Sequence, residues 1–416
     1  MIKKNYSLLK WIDTKDDQEI NEFNKAMNSY LMFKSNSLEI TENLIIKNES
    51  FQAPKILKIV LILLSRDKIK IKIAKKILKN INVSYVNDYF KEYLKVLQFW
   101  INNNLHEAIK NLLEIIKKNP KDIFAIRLFH FNNIFIGMDD KFLENHEKII
   151  NEWDILDEYY NLLLGMTSFA NEENNNLERA KYLASESLNL SKSDLWSWHA
   201  LIHVHDNEIL SDVENNKYFN NFEWKNYGPI KRHIWWHLAL FYFYRGDYKK
   251  SLTMYDNYVF DKDTFYLDFC NTSSFLLRLH YKGVDVKKRM EDLLPIANYF
   301  KDQNILPFID YHLIFYYKYM KNNDYLDNIE NNLKYSYLKT SFNKNVNEYL
   351  IPIIKNINED EILINKSLNT SFKYLGGSFA QRELIYFDLI DKNNDKLKSN
   401  VIENFYKRKK NAVKYV

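Results

Sequence analysis

Four histidines in the middle of this 416-residue chain fall into two pairs, His199 with His203 and His233 with His237. Each pair is spaced i, i+4, so on a helix both imidazoles leave one face, a turn apart. The pairs repeat at an offset of 34, since 233 − 199 and 237 − 203 are equal. Neutral imidazoles from neighbouring helices, joined by a carboxylate, can ligate zinc, iron or manganese. They can also move protons near neutral pH, or hydrogen-bond an anionic small molecule or a peptide terminus without catalysis. Packing is the alternative that asks nothing of them. The strings WSWH and HIWWH set the histidines beside tryptophans, and such rings are often core residues bonded to carbonyls, Asp or Tyr. No HExxH, Walker, Rossmann or nucleophile-elbow pattern occurs, so the sequence names no enzyme class.

An offset of 34 is the period of a tetratricopeptide repeat, a hairpin of two helices. The stretch from Glu92 to Pro120 shows the pattern plainly. Ala108 lets the second helix approach the first, Leu112 and Ile115 fill the gap, and Pro120 ends the pair. Further pairs follow from Asp122 to Gly137 and from Tyr159, with Ala180 at the small-residue position. The best match has Trp235, Leu238, Ala239, Tyr242, Gly246, Ser251 and Tyr255 at packing positions. It departs at Tyr258, where a small residue is usual, and at Asp263, where proline is usual, which predicts a changed angle for the next pair. Ser378, after Gly376 and Gly377, is placed to N-cap a last helix. The expected fold is an all-α superhelix, one domain over 1–416. Residues 1–90 form irregular capping helices, such as 21–34 and 55–64, 91–390 the array, and 391–416 a C-terminal helix or tail.

Composition agrees. With 46% apolar and 16% aromatic residues the chain can bury a large core, and 7 glycines and 6 prolines are too few for a turn-rich sheet protein. A net charge of +5 from 59 basic and 54 acidic residues does not call for nucleic acid. The basic run Lys407 to Lys410 reads as a soluble terminus. Cys270 is the single cysteine, which excludes an internal disulfide and a cysteine-based zinc site. No apolar run approaches the ~20 residues of a membrane span, and none near the N-terminus has signal-peptide length. A soluble, cytoplasmic protein is expected, with no membrane partner.

With Gly246 as the turn inside its repeat, His233 and His237 take the two positions that face the concave side of such a superhelix. The 34-residue offset carries the same assignment to His199 and His203. Extending the register places Asp310, with His312 two residues on, and Gln381, with Arg382 beside it, on the same surface. Trp236 is the candidate groove wall, while Trp235, Phe243 and Tyr244 belong to the core. Glu172 and Glu173, ending a helix, read first as a solvated face and otherwise as acids reaching the groove rim behind the imidazoles. Asp206 is a similar supporting acid. His205 lies on another face, and His130, His146 and His280 carry no functional expectation.

Seven blocks, in order, resemble the tetratricopeptide repeat protein 38 family: NPKDIFAIRLFHFNNIFIG, LLLGMTSFANEE, HALIHVHD, HIWWHLALFYFYRGD with its trailing TMYD, SSFLLRLHYKGVD, FIDYH and GGSFAQRE, spanning about residues 119 to 383. The resemblance implies an all-helical repeat fold without an assigned activity. The family often has Glu where this chain has Asp206, and an upstream histidine where this chain has Tyr93. Two functions stay open. One is a binding or assembly protein that holds a peptide or small molecule in a histidine-lined groove, with a protein partner or self-association. The other is an enzyme using a divalent metal at His199, His203, His233 and His237.

Overall fold

The computed structural model describes residues 10–84, 86–138, 141–204, 226–263, 265–359 and 372–391. His205, Asp206 and the basic run Lys407 to Lys410 lie outside the described residues, as does all of the expected tail beyond Asp391. Among the described residues the regular elements are helices, and none is long and apolar enough to cross a membrane.

The helices come as antiparallel pairs. In chain order they are α1 (Asp17–Leu31), α2 (Ser37–Lys47), α3 (Ala53–Leu64), α4 (Lys68–Lys79), α5 (Asp88–Ile101), α6 (Leu105–Lys118), α7 (Ile123–Ile136) and α8 (Phe142–Ile150). Then come α9 (Tyr160–Glu173), α10 (Leu177–Leu190), α11 (Leu195–His203), α12 (Ile230–Tyr244) and α13 (Tyr248–Met254), the last running into a π turn at Tyr255–Val259. The series closes with α14 (Tyr266–His280), α15 (Lys287–Asp292), α16 (Leu294–Phe300), α17 (Pro307–Tyr319), α18 (Asn323–Tyr337), a broken helix over 343–359, and a final helix, Phe379–Asp391. Apolar residues at three- and four-residue steps make each helix. In α6 the buried set is Leu105, Ala108, Ile109, Leu112, Ile115 and Ile116. Carboxylates or amides at Asp16, Asp67, Asn87, Asp122, Asp194, Asp247 and Asn322 accept the first free amides and start helices where they stand.

One backbone device ends the first helix of nearly every described pair. Phe33, Arg66, Asn103, Met138, Asn175, Gly246, Gly283 and Lys321 all have positive φ. At most of them the next residue's amide bonds back five residues, as Asn104 does to Phe99, Asp247 to Tyr242 and Val284 to Leu279, which is a Schellman closure. The device begins at Phe33, so the described part of the first 90 residues, expected to be irregular, contains the same hairpin closure. The second helix of the repeat that holds His233 and His237 widens into the π turn, where Tyr258 stacks on Trp235 with centroids 4.4 Å apart.

The hairpins do not form an open trough, because turns of the early repeats bond to segments of the late ones. Gly228 donates to the Phe33 carbonyl at 2.8 Å and Ser35 to that of Asn226 at 2.9 Å. Arg66 and Asn103 both donate to the Ile305 carbonyl, at 2.9 and 2.8 Å, and Gly377 donates to the Ile134 carbonyl at 3.2 Å. At Gly137, φ is +97° and a Cβ would sit 1.9 Å from the Lys373 carbonyl oxygen, so only glycine admits that approach. The inner space is therefore walled by both ends of the chain.

Helix α11 is set by a second close approach. Asp194 caps it by accepting from Trp196 and Ser197, and its other oxygen takes the hydroxyls of Ser197 and Ser187 at 2.8 and 2.9 Å. This cluster lies against Gly165 of α9, where a Cβ would be 2.4 Å from Ser197 Oγ. Gly165→Ala is expected to cost about 1–3 kcal/mol of unfolding free energy by overpacking, read by urea denaturation. An unchanged midpoint would show that α9 and α11 tolerate the methyl.

Candidate metal centre

Helices α11 and α12 each contribute one i, i+4 pair, and the four imidazoles meet. His199 Nε2 lies 2.9 Å from His203 Nε2 and 2.9 Å from His233 Nε2. His237 Nε2 lies 3.0 Å from His203 Nε2 and 3.2 Å from His233 Nε2. The four atoms thus form a closed quadrilateral, His199–His203–His237–His233, with all four residues buried.

Hydrogen bonding alone cannot explain this ring. An imidazole nitrogen carries either one N–H or one in-plane lone pair, so each Nε2 makes a single in-plane bond. The four sides use each Nε2 twice. At most two sides can be hydrogen bonds, whatever the protonation, and the other two leave unbonded nitrogens about 3 Å apart. A cation among the four removes the conflict, since it can accept more than one lone pair at once. The half-diagonal of a square with sides near 3 Å is about 2.1 Å, the length of a zinc–imidazole bond.

The surroundings are polar where the rings need orienting and aromatic elsewhere. Glu172 Oε2 is 3.0 Å from His203 Nδ1, and because a carboxylate only accepts, Nδ1 carries a proton and the neutral ring has its lone pair at Nε2. Burial pulls His203 down, but the charge and hydrogen bond of Glu172 and the charge of Glu173 outweigh it and raise its pKa above the usual histidine value. Burial, helped by the charges of His203 and His233, holds His199 well below that value. Burial likewise takes His233 down to about 3, so both stay neutral at pH 7. Trp236 is fully buried and stacks on His233 at 5.3 Å, so it backs that imidazole instead of walling a groove. Phe169 stacks on His199 at 5.6 Å. Arg232 holds α12 to α14 through Asp268, at 2.6 and 2.9 Å.

Glu173 also points inward. It accepts from the Phe379 amide at 2.8 Å and from Arg382 at 3.0 Å, so the acids expected first as a solvated face are built into the site. Arg382 is thus bonded to Glu173 and acts on His203 through its charge. Gln381 reaches the ring through Asn271, whose amide meets His233 Nδ1 at 2.9 Å. Reading the four histidines missed Asn271, although 237 plus 34 is 271 and the repeat offset leads directly to it. Ser378 does not cap with its side chain. Its hydroxyl has no partner among the described residues, and its amide is held by Gln381 Oε1 at 2.9 Å.

Asp310 and His312 do not join the ring, a correction to the extended register. Phe308 takes the inward position on α17, and Asp310, two residues on, is turned about 200° from it. Asp310 accepts from Tyr337 at 2.5 Å and Asn304 at 3.3 Å, tying α17 to its neighbours. His312 Nδ1 donates to the Phe308 carbonyl at 2.7 Å within its own helix. Tyr93 is also remote, donating to Asp122 at 2.7 Å. A pair assigned no function, His130 and His146, does meet. Its Nδ1 and Nε2 are 3.0 Å apart, and burial pushes both rings' pKa values down.

A cavity of about 280 Å³ adjoins the ring. His199 and His233 line it together with Phe131, Trp196, Tyr266 and Phe308, so the edge of the ring between those two imidazoles faces a largely apolar chamber. Its walls come from early, middle and late repeats alike, as the closure requires. No protein-family model matches this chain, and no solved structure matches it.

Burial raises the Asp310 pKa to about 7, against the lowering effect of Tyr337 and Asn304. An acid raised in the fold contributes stability that is present below its unfolded pKa, near 4, and lost as pH rises to 7. Asp310→Asn is therefore expected to flatten the fall in stability between pH 4 and 7, measured by urea melts across that range. An identical slope in both proteins would contradict a protonated Asp310.

Proposed function

We propose that this protein binds one divalent transition-metal ion at the imidazole ring and presents it to a small organic molecule in the adjoining cavity. The observation that carries the reading is the closed quadrilateral of Nε2 atoms, two sides of which no hydrogen bond can satisfy. Imidazole donors suit zinc, copper, iron and nickel better than calcium or magnesium, and zinc is the first choice because three histidines with an open position are a ligand set it uses. Glu172 behind His203 is the carboxylate–histidine arrangement that orients ligands at such centres.

Chamber size favours a small molecule over a peptide. An apolar cavity of roughly 150 Å³ accepts benzene, and about 280 Å³ admits a body some two rings in size. Protein partners and self-association have no such support. An enzyme is the second reading, favoured because His199 and His233 border the chamber directly, so an ion there would touch whatever enters. We further propose that the resemblance to the tetratricopeptide repeat protein 38 family reflects kinship, since the HALIHVHD and HIWWH blocks that carry it hold all four histidines of the ring.

Metal analysis of protein purified without chelators is expected to give about one zinc or iron per chain. His203→Ala and His237→Ala should each lose it. Re-adding zinc at 100 times its Kd should raise wild-type stability by about 2.7 kcal/mol. Metal-free wild type whose melting is unmoved by zinc, iron, nickel or copper would overturn the reading.

A further inference from the structure

The four imidazoles are not equivalent, and a chain of amides shows why. A backbone N–H can only donate, so the Gln381 atom facing the Ser378 amide at 2.9 Å is oxygen. The other end of that side chain is then its NH₂, which meets Asn271 at 3.1 Å and must find oxygen there. What Asn271 turns toward His233 Nδ1, at 2.9 Å, is therefore its own NH₂. The deduction does not depend on which end of either amide is labelled oxygen, because each link fixes the next. Asn271 and Gln381 are buried, so water does not substitute for either.

An NH₂ group aimed at Nδ1 requires a lone pair there and hence a proton on Nε2 of neutral His233. His203 is the opposite case, with Nδ1–H on Glu172 and a free lone pair at Nε2. The two stand at opposite corners of the ring, one built to donate into it and one to accept a cation. We infer that His233 is not a metal ligand. It is a positioning residue whose Nε2–H points at the outer ligand of an ion held by His199, His203 and His237. This rests on the metal reading above and deepens it. Three imidazoles leave one coordination position open, as at catalytic zinc centres, whereas four would close it as at structural ones. An N–H cannot approach a cation, so the ion sits off-centre toward His203. The vacated corner faces His233, which lines the chamber. The ligand that fits is an oxygen donor, able to bind the ion and accept from His233 at once.

Two measurements test this. In metal-free wild type, ¹⁵N shifts of the ring nitrogens should show His233 protonated at Nε2 and His203 at Nδ1. In cobalt titrations, His233→Ala should keep its ion within about tenfold of wild type, while His203→Ala should lose at least about a hundredfold. Acetohydroxamate, an oxygen donor, should perturb the visible bands of the wild-type cobalt protein. In Asn271→Asp the carboxylate accepts from Nδ1–H and frees the His233 lone pair, so cobalt should bind about tenfold tighter or more and acetohydroxamate should leave the spectrum unchanged. A His233→Ala loss as large as that of His203→Ala, or a proton found on His233 Nδ1, would overturn the inference. Wild type that takes up no cobalt would fell the metal reading itself, and the ¹⁵N shifts would then judge the amide chain alone.

Discussion

One in-plane bond per imidazole nitrogen is the constraint from which the rest of this site follows. Four Nε2 atoms packed about 3 Å apart ask for twice as many bonds as they can make, and the surrounding protein settles which are made. Glu172 fixes one corner as an acceptor, and the chain from the Ser378 amide through Gln381 and Asn271 fixes the opposite corner as a donor. Neither control lies on the helices that carry the histidines. Glu172 ends α9, Asn271 belongs to α14, and Gln381 lies on the last helix.

That distribution ties the site to the closure of the superhelix. An array whose ends stayed apart would hold α9, α11, α12 and α14 in sequence but would leave the last helix away from them. The bonds from Gly377 to Ile134 and from Phe379 to Glu173 bring it across. Local devices then set the finer geometry. Gly165 lets the Asp194 cap sink against α9 and so fixes the height of His199 and His203. Arg232, clamped by Asp268, does the same for His233 and His237. The chamber beside the ring is a consequence of the same closure, since its walls include residues from repeats far apart in the chain.

Short-range and periodic features were legible in the sequence, and long-range ones were not. The i, i+4 spacing and the offset of 34 place four imidazoles together because helix and repeat periods are properties of local sequence. Asn271 was within reach of the same offset but does not stand out, being one amide in an asparagine-rich chain. The register failed at Asp310 because Pro307 starts α17 and makes Phe308 the inward residue, so that counting repeats forward lands on the wrong face. Early hairpins escaped notice because positive φ at Phe33 and Arg66 falls on residues that carry no turn signal. Closure of the superhelix was invisible for a different reason. It rests on backbone carbonyls and amides, such as those of Ile305 and Gly228, that every sequence possesses.

Packing remains the competing account of the ring, and its energetics argue against it. Histidines that serve a core are bonded to something that satisfies them, as His312 is through Nδ1 to the Phe308 carbonyl. Within the ring, two of the four contacts bring together groups that repel or ignore one another, and among the described residues His199 Nδ1 and Trp236 Nε1 also lack partners. A buried polar group left unbonded costs about 1–3 kcal/mol, and leucine or methionine would fill the same volume with none of that penalty. Burial of the imidazoles is unfavourable for packing yet useful for ligation. The low-dielectric surroundings that depress the pKa values of His199 and His233 also keep their rings neutral, as His199 must be to bind a metal and His233 to accept from Asn271. Polar strain concentrated on four convergent nitrogens, beside an apolar chamber, supports the proposed metal site over a core arranged around itself.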